Sequence, residues 1–392
     1  MSLRIPVSAA DFRERARSRL PRFLFDYLDG GANDEQTLRA NETAWHDVTL
    51  RQRVLVDVDH LDTGTTLGGQ SCAMPVVLAP VGLAGMMARR GEVQAVRAAN
   101  CADIPFTLST VGICPLSEIA SASNAPFWFQ LYMIRDRDRV DDLLRNAWQA
   151  GCRTLVFTVD LPTTGIRHRD TRNGLAARGL RATALRVQQV SSRPHWLWNV
   201  ALRGRPLTFG NLSEAVPNAR KLDGFKAWVD AQFDPTVTWD DIGWLRQHWQ
   251  GTLILKGILE ADDAVHAVQV GADGVVVSNH GGRQLDGVAA TASKLPAVVA
   301  AVSGQIQILV DGGIRSGVDV FRALALGANG VMIGRPWAWA LAAAGETAIT
   351  QLLRNWQQEL RLAMMLTGVT DIASIGHAQL DQVSNIPARE QR

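Results

Sequence analysis

The chain has 392 residues, and its 40 Lys and Arg against 38 Asp and Glu give a formal net charge of +2 at pH 7. This length exceeds one small domain and suits a single (β/α)8 barrel, for which about 200 to over 400 residues is usual. The sequence has no run of about 18 uncharged apolar residues, and its first 20 residues carry five Arg, so we expect neither a spanning helix nor a secretory signal but a protein of the cytoplasm.

Two short helices are expected at the N-terminus. Residues 8–20 have the charge density of an exposed helix, Pro21 ends it, and the apolar residues 23–28 form a second helix closed by Gly30 and Gly31. Tyr27 in the second helix is either a core residue or a phenol that reaches a site. We interpret residues 1–73 as a cap on a larger domain.

Eight short β-rich runs alternate with helical patterns after residue 73. They are residues 75–80, 105–110, 127–133, 154–160, 252–258, 274–279, 307–313 and 330–335. Residues 91–102, 140–150, 260–270 and 318–326 have helical periodicity. Strands that alternate with helices predict a parallel sheet, and eight is the number that closes into a (β/α)8 TIM barrel of the α/β class. Strands one to four then occupy residues 74–160, and strands five to eight with C-terminal helices occupy residues 251–392.

A long insertion is expected between strands four and five, at residues 161–250. Residues 172–226 hold ten Lys and Arg against Glu214 and Asp223, a local charge of +8, whereas the rest of the chain carries −6. Basic residues interleaved with Trp196 and Trp198 suit a segment that lies on an anionic bilayer. Nucleic acid is the rival partner, but no nucleic-acid motif accompanies the charge. A mobile loop over the active site is the remaining alternative.

The four cysteines have irregular spacing and no CxxC pair. Cys72, Cys101, Cys114 and Cys152 are therefore expected to be buried, reduced thiols, and neither a zinc site nor a disulfide framework is indicated.

Each predicted strand ends in residues that can do chemistry. In (β/α)8 barrels the active site lies at the C-terminal ends of the strands, so these residues are expected to converge. In chain order they are Ala79, Pro80, Val81, Ser109, Gln130, Tyr132, Thr158, Asp160, Lys256, Ser278, His280, Asp311, Gly312, Gly313, Gly334 and Arg335.

The ends of strands seven and eight predict a phosphate site. Asp311-Gly312-Gly313-Ile314-Arg315 and Gly334-Arg335 stand where such barrels commonly bind phosphate through bare N–H groups and Arg. Neither GxGxxG at the start of a helix nor GxxxxGK[ST] occurs, which leaves a phosphorylated substrate or a mononucleotide such as FMN. The side chains of Ser109, Gln130, Thr158 and Lys256 suit the edge of a heteroaromatic ring and favour FMN.

The loop after strand six carries the candidate for proton transfer. His280 can move a proton near neutral pH, Arg283 can fork onto a carboxylate, and Gly281 and Gly282 let a ligand approach the backbone. Taken alone, the same residues would also fit a surface turn.

Five segments together resemble the family of FMN-dependent L-2-hydroxy acid oxidases and dehydrogenases. They are SNHGGRQLDG at 278–287, DGGIR at 311–315, FTVD at 157–160, FQLY at 129–132 and FDYLDGGA at 25–32. The resemblance covers nearly the whole chain. Through residues 50–55, 79–90 and 109–115 it is closest to the bacterial, quinone-linked members that oxidise L-lactate.

The resemblance implies a role for each matching position. His280 is expected to be the base and Asp160 the carboxylate that orients it, with Arg283 and Arg167 on the substrate carboxylate and Tyr27 and Tyr132 on the substrate. Residues expected on the flavin ring are Ala79, Pro80, Val81, Ser109, Gln130, Thr158, Lys256 and Ser278. Residues expected on the ribityl and phosphate groups are Asp311, Gly312, Gly313, Arg315, Gly334 and Arg335.

Oxidation of a 2-hydroxy acid removes a proton from oxygen and the equivalent of a hydride from C2, so the site needs a base, a carboxylate clamp and a two-electron acceptor. His280 could take either the C2 proton or the hydroxyl proton. The implied enzyme oxidises L-lactate, passes electrons to quinone at the cytoplasmic face of the inner membrane, and is a homo-oligomer. The alternatives are an oxidase or dehydrogenase for mandelate or glycolate, and a phosphate-binding barrel without redox chemistry. Ala79 instead of Gly near the ring favours a small substrate.

Overall fold

Eight parallel strands form a barrel at the centre of the computed structural model, which describes residues 5–177, 179–212 and 231–381. The strands are β1 (Val76–Leu78), β2 (Thr107–Ser109), β3 (Trp128–Leu131), β4 (Thr154–Thr158), β5 (Thr252–Ile258), β6 (Gly274–Val277), β7 (Gln307–Val310) and β8 (Gly330–Ile333). Neighbours pair in parallel, and a bridge between Leu78 and Phe106 joins β1 to the chain just before β2. The predicted (β/α)8 barrel is confirmed, and each strand lies within its predicted range.

Helices surround the barrel and follow its strands. The four stretches with helical periodicity are observed as Gly91–Cys101, Arg137–Gln149, Ala261–Gln269 and Gly317–Ala325. Further helices around or after the barrel are Leu116–Ala122, Thr291–Val302, Arg335–Ala344 and Glu346–Thr367. They bury one apolar face; Val320, Phe321 and Leu324 are examples.

The inward side chains of the barrel form two layers. Val77, Trp128, Val156, Ile254, Val276, Leu309 and Met332 pack together in an apolar layer with Leu67 and Cys72. Because side chains alternate along a strand, the residues two positions further on also face the interior, at the C-terminal ends. Those residues are Ala79, Gln130, Thr158, Lys256, Ser278, Asp311 and Gly334. The apolar layer therefore lies directly beneath these mostly polar residues, towards the N-terminal ends of the strands.

The N-terminal segment contains three helices and a hairpin. Ala9–Arg19 begins at a capping box, in which the Ser8 hydroxyl accepts from the Asp11 N–H, and Arg22–Asp29 and Gln36–His46 follow. The antiparallel strands Thr65–Leu67 and Gln70–Cys72, which the sequence did not predict, place Leu67 and Cys72 under the apolar layer. The hairpin therefore closes the N-terminal end of the barrel.

The insertion between β4 and β5 is largely helical where it is described. Its helices are His168–Arg172, Leu180–Ser191, Pro194–Trp196, the π-helical Leu197–Leu202 and Trp239–His248. Several charged residues that we counted in the basic stretch lie outside the described residues, namely Arg178, Glu214, Arg220, Lys221, Asp223 and Lys226. No helix in the described ranges is long and apolar enough to cross a membrane.

Two sequence expectations are wrong. Cys72, Cys114 and Cys152 are buried, and burial raises the pKa of Cys72 to about 11, but Cys101 is exposed because it ends its helix on the solvent side. Trp196 is also not available to a bilayer. Its indole N–H donates to the Met86 carbonyl at 2.8 Å and its ring packs edge-on against Phe23, so only Trp198 of the pair is exposed.

Candidate active site

A cavity of about 380 Å³ opens at the C-terminal ends of the strands. The site residues predicted from the sequence that line it are Tyr27, Ala79, Pro80, Val81, Tyr132, Thr158, Arg167, Lys256, His280, Arg283, Asp311, Gly312, Gly313, Arg315, Gly334 and Arg335. The other predicted residues, Ser109, Gln130, Asp160 and Ser278, lie behind the wall and hydrogen-bond to residues that line it, namely Val111, Thr158, His280 and Lys256 respectively. The fold thus brings the whole predicted set together.

His280 and Asp160 form a partly buried pair. Nδ1 of His280 lies 2.8 Å from Oδ1 of Asp160, and the two side chains are 19% and 14% exposed. Since Nδ1 faces the carboxylate, Nε2 is the nitrogen left for a ligand in the cavity. The backbone N–H of His280 donates to the Ser278 hydroxyl at 3.0 Å, which fixes the backbone that carries the ring.

Asp160 stays ionised in this setting. Burial raises the pKa of Asp160, but the charge and hydrogen bond of His280 and the charge of Lys256 outweigh it, so its pKa lies below the ordinary value. Gly257 makes room for the carboxylate: it has a φ of +111°, and a Cβ there would lie 2.7 Å from Cβ and Cγ of Asp160. A bulge-like register shift occurs at this glycine, between Lys256 and Ile258.

The loop that carries His280 is fastened to the N-terminal segment. His280, Gly281 and Gly282 have left-handed φ values of 56°, 65° and 71°. Asn279 and Asn41 exchange two amide hydrogen bonds of 2.8 Å, and the Asp286 carboxylate accepts from the Thr37 N–H at 2.8 Å. A non-glycine residue in the left-handed region costs free energy and persists only where its surroundings hold it. Sequence reasoning missed Asn41, since nothing local pairs it with a residue 238 positions away.

Backbone carbonyls at the C-terminal end of the helix Arg22–Asp29 accept hydrogen bonds from two distant arginines, Arg283 and Arg335. Nη1 of Arg283 donates to the carbonyls of Tyr27 at 2.6 Å and Gly30 at 2.9 Å. Nη2 of Arg335 donates to the same Gly30 carbonyl at 2.8 Å, and its Nε donates to the backbone carbonyl of Asp29 at 3.2 Å. Carbonyls at a helix C-terminus lack intrahelical partners and carry partial negative charge, so they suit these cations.

Positive charge is concentrated in this part of the cavity. Burial and the charge of Arg167 lower the pKa of Arg283 to about 10. Burial and the charges of Arg283 and Arg315 lower the pKa of Arg335 to about 9. Guanidinium groups that repel one another in a buried site favour a bound anion, because an anion relieves that repulsion.

Arg167 faces an acid that sequence reasoning missed. Its Nη1 lies 3.9 Å from Oδ2 of Asp170, a long ion pair. Among the described residues, Nε of Arg167 and Oδ1 of Asp170 are buried without a hydrogen-bond partner. Burial raises the pKa of Asp170. The sequence contained one indication of this pair, because Arg167 and Asp170 are three residues apart and residues at that spacing share a helix face.

The two tyrosines lie beside the cations. The guanidinium of Arg283 stands 5.0 Å from the centre of the Tyr27 ring and that of Arg167 stands 6.0 Å from it. Tyr132 packs against Phe233, with ring centres 4.8 Å apart and planes tilted by 30°. Burial and the charge of Asp160 raise the pKa of Tyr132, so its phenol stays a neutral hydrogen-bond donor. Phe233, also in the cavity wall, was not predicted.

Polar groups on neighbouring strands form a row at the cavity floor. The Ser109 hydroxyl donates to Gln130 Oε1 at 3.0 Å, and Gln130 Nε2 donates to Thr158 Oγ1 at 3.1 Å. Lys256 Nζ lies 2.8 Å from Asp311 Oδ2 and donates to Ser278 Oγ at 3.0 Å. Burial lowers the pKa of Lys256, but the charges of Asp311 and Asp160 outweigh it and the pKa is raised.

These groups fit the expected FMN. Oδ1 of Asp311 is buried without a partner among the described residues, so it can accept from a ribityl hydroxyl. Gly313 has a φ of 83° and is needed for close packing, since a Cβ there would overlap the Asn41 carbonyl oxygen. The side chains nearest to a Cβ at Gly334 would be 4.0 Å away, which leaves the backbone there open to an anion. Arg315 and Arg335 border the same space. A ring over the Lys256 ammonium and a phosphate at these two arginines would meet complementary charge at both ends.

Comparison with known proteins agrees with this geometry. The model of a family described as FMN-dependent dehydrogenase matches residues 16–382. The chain is 54% identical to an L-lactate dehydrogenase of Caulobacter vibrioides over 96% of this chain and 98% of the relative, and 52% identical to one of Pectobacterium atrosepticum over 96% and 97%. Among solved structures, a monotopic membrane protein, (S)-mandelate dehydrogenase, superposes with a TM-score of 0.90 at 32% identity, covering 96% of this chain and 100% of that one. A mandelate oxidase gives a TM-score of 0.82 at 39% identity, covering 96% and 98%.

Proposed function

The chain belongs to the family of FMN-dependent dehydrogenases, and on that basis we propose that it oxidises L-lactate to pyruvate and passes the electrons to a membrane quinone. FMN is the cofactor, and the reaction is the oxidation of a 2-hydroxy acid. The observation that carries the chemistry is the 2.8 Å pair of His280 and Asp160, in which His280 lines the same cavity as Arg283 and Arg167. In this proposal the cap, the barrel and the insertion act as one domain.

The substrate carboxylate binds between Arg283 and Arg167. Arg283 uses Nη1 on backbone carbonyls, which orients the guanidinium and leaves its other N–H groups for the ligand. Arg167 exchanges its long contact with Asp170 for the carboxylate, because a 3.9 Å pair with unmet hydrogen bonds is easily replaced. The hydroxyls of Tyr27 and Tyr132 hydrogen-bond the bound acid.

His280 is the base. With Nδ1–H donated to Asp160, the lone pair of Nε2 faces the cavity and takes either the C2 proton or the hydroxyl proton. Asp160 stabilises the imidazolium that results, and its lowered pKa keeps it ionised for that purpose. Arg167 and Arg283 hold C2 and its hydroxyl against this nitrogen, which supplies the proximity that the step needs.

FMN supplies an acceptor for the two electrons. Lys256 holds a positive charge at the cavity floor, where it would stabilise negative charge on a reduced flavin. Thr158 would hydrogen-bond the ring edge from the cavity wall, and Gln130 and Ser109 would support it from behind, through Gln130 Nε2 on Thr158 and the Ser109 hydroxyl on Gln130. Arg315, Arg335 and the glycine backbone would hold the phosphate.

L-lactate is proposed over other 2-hydroxy acids because relatives at 51–54% identity bear that name. The alternative is mandelate, which the structural neighbours at 32–40% identity favour, and glycolate is a further small candidate. The test is an absorbance spectrum of the purified FMN-loaded protein under anaerobic conditions, before and after each acid. L-lactate should bleach the flavin band fastest. Faster bleaching by mandelate would assign the alternative, and no bleaching by any 2-hydroxy acid would reject the oxidation itself.

The insertion supports the proposed membrane association at the cytoplasmic face of the inner membrane. Leu180 and Val187 lie seven residues apart on one face of a helix and are 90% and 62% exposed. Trp198 and Leu202, four residues apart on the next helical segment, are 57% and 48% exposed. Residues 172–212 contain seven Arg and no Asp or Glu. Apolar side chains among cations suit an anionic bilayer surface.

Fractionation of cells at low ionic strength tests this part. The protein should sediment with membranes, and Trp198→Ser with Leu202→Ser should release most of it. Recovery of the unaltered protein wholly in the soluble fraction would overturn the membrane proposal. Oxygen consumption that keeps pace with lactate oxidation by the purified protein would assign the acceptor to oxygen instead of a quinone.

A homo-oligomer is also part of the proposal. Leu55 is fully exposed and Val54 is 73% exposed. The Arg53 N–H beside them donates to the Leu366 carbonyl of the last long helix, on which Leu362 and Leu366 are 54% and 48% exposed. Exposed apolar clusters of this kind mark interfaces. Light scattering should give a mass that is a multiple of 42.7 kDa, which Leu55→Ser with Leu366→Ser reduces. A monomer mass for the unaltered protein would reject the oligomer.

A further inference from the structure

A second cleft lies outside the active-site cavity. Its volume is about 890 Å³, and none of the residues that line it lines the active site. Its walls come from the helices Ala9–Arg19 and Arg22–Asp29 on one side and from His168–Arg172 and Leu180–Ser191 of the insertion on the other. Six arginines line it, Arg13, Arg17, Arg22, Arg169, Arg172 and Arg193, against only two acids, Glu14 and Asp26.

The fold brings two arginine-rich segments together across this cleft. Residues 13–22 hold five Arg and one Glu, and residues 172–212 hold seven Arg and no acid. The walls are joined by hydrogen bonds that neutralise no charge: the Phe23 N–H donates to Gln189 Oε1 at 2.8 Å, and Arg193 Nε donates to the neutral Leu20 carbonyl at 3.0 Å. Like charges held face to face cost free energy, and a bound anion would offset that cost.

The carboxylates in and behind the cleft do not neutralise all of its positive charge. Arg13 and Arg169 share the buried Asp29, and Arg169 also pairs with Glu35 at 2.5 Å, so these two cations are compensated from behind. Arg17 is 65% exposed against Glu14, and Arg22 is 79% exposed at 3.4 Å from Asp26, so both pairs are weak. Arg172 has no ion pair within the described residues. Six guanidinium groups therefore face four carboxylates, and the three most exposed arginines, Arg17, Arg22 and Arg172, have a weak ion pair or none within the described residues.

From this charge and shape we propose that the arginine cleft is a binding site for a phosphate group. Guanidinium groups form bidentate, charge-assisted hydrogen bonds with phosphate oxygens, and several arginines around one space are the arrangement that recognises a doubly charged anion. The phosphate comes either from a soluble phosphate compound or from the head group of an anionic lipid. The proposal depends on neither lactate nor a quinone.

The test uses the FMN-loaded protein, so that the flavin phosphate occupies the active site. Two probes distinguish the two sources of phosphate. Pyrophosphate represents the soluble compound, and its binding is measured by calorimetry. Vesicles of phosphatidylglycerol and phosphatidylcholine in equal parts represent the lipid, and their binding is measured by co-sedimentation and compared with vesicles of phosphatidylcholine alone. The variant is Arg22→Gln with Arg172→Gln. The control is Arg139→Gln with Arg145→Gln, which removes the same charge from exposed pairs that do not line the cleft.

We expect the cleft variant to lose about tenfold in affinity for at least one probe, since two exposed charge contacts together contribute on the order of 1–2 kcal/mol. The control should change that affinity less than about twofold. Selective loss of pyrophosphate binding assigns a soluble ligand, and selective loss of vesicle binding assigns a lipid head group. Equal effects in both variants, or no binding of either probe by the unaltered protein, would overturn the proposal. Both variants should retain FMN and their melting temperature, because all four side chains are exposed.

Discussion

His280 is the residue on which turnover is expected to depend most. His280→Gln keeps a side chain of similar reach but cannot accept a proton at neutral pH, so we predict that kcat falls by about 10²–10⁴ while FMN stays bound. Steady-state kinetics with L-lactate and the flavin absorbance of the purified variant measure the two effects. Turnover close to that of the unaltered protein would remove His280 from the role of base.

Arg283 is predicted to act through the geometry of its guanidinium. In Arg283→Lys a single ammonium must serve both the carbonyls of Tyr27 and Gly30 and the substrate, so KM should rise and kcat should fall together. The kinetics of the variant with L-lactate check this. A rise in KM alone would mean that the fork contributes to binding and not to the chemical step, and unchanged kinetics would reject the clamp.

Asp160 links the site to the acid stability of the protein. Burial raises the pKa of Asp160, but His280 and Lys256 lower it by more, so the folded pKa lies below the unfolded value of about 4. Ionised Asp160 therefore contributes stability that is fully present above the unfolded pKa and is lost as the pH falls through the folded pKa. The melting temperature of Asp160→Asn should therefore lie below that of the unaltered protein at neutral pH, and the gap should narrow below about pH 4. Melting curves of both proteins measure the gap. A gap that stays constant through the acid range would contradict the lowered pKa.

At the scale of the element, β5 is shaped by a glycine that the active site requires. Gly257→Ala forces a Cβ onto a residue with φ +111° and to 2.7 Å from Asp160, so we predict lower stability by about 1–3 kcal/mol and a large loss of turnover. Urea unfolding and kcat measure both effects.

Gly243 offers a matched control. It lies in the helix Trp239–His248, and a Cβ there would meet no atom within 4 Å. Gly243→Ala should raise stability by about 0.5–1 kcal/mol and leave turnover unchanged. If Gly257→Ala behaved like this control, close packing of β5 against Asp160 would not matter for function.

Elements distant in sequence meet at the loop after β6. The helices of the first 46 residues supply the carbonyls that orient Arg283 and Arg335 and the Asn41 amide that pairs with Asn279. The N-terminal segment is thus part of the site as well as a covering of the barrel.

For the whole molecule, FMN is expected to contribute to stability as well as to chemistry. A ligand that binds only the folded state adds about 2.7 kcal/mol at a hundredfold excess over its Kd. Removal of FMN should therefore lower the melting temperature, and added FMN should restore it in a concentration-dependent way. Differential scanning calorimetry on the FMN-free protein measures this. Riboflavin, which lacks the phosphate, is the control and should restore much less. Equal effects of the two flavins would contradict a phosphate site at Arg315 and Arg335.

The sequence by itself determined the barrel and the identity of its chemical groups. Short β-rich apolar runs, helical periodicity and turn residues are local signals, and the rule that barrel strands present their C-terminal ends together converts the strand order into a site. His280, Lys256 and Asp311 could therefore be assigned to one cavity before any coordinates. The hairpin at residues 65–72 was not predicted, because strands of three residues are too short to show a recognisable pattern in the sequence.

Only the tertiary structure decided how those groups are held and charged. The pairing of Asn41 with Asn279, the carbonyls that orient Arg283, the long contact between Arg167 and Asp170 and the burial of Trp196 all join residues through space. The arginine cleft has the same origin, since each of its two segments alone is an ordinary solvated charge run. Burial, distance and neighbouring charge set both pKa values and contact energies, and these quantities exist only once the chain has folded.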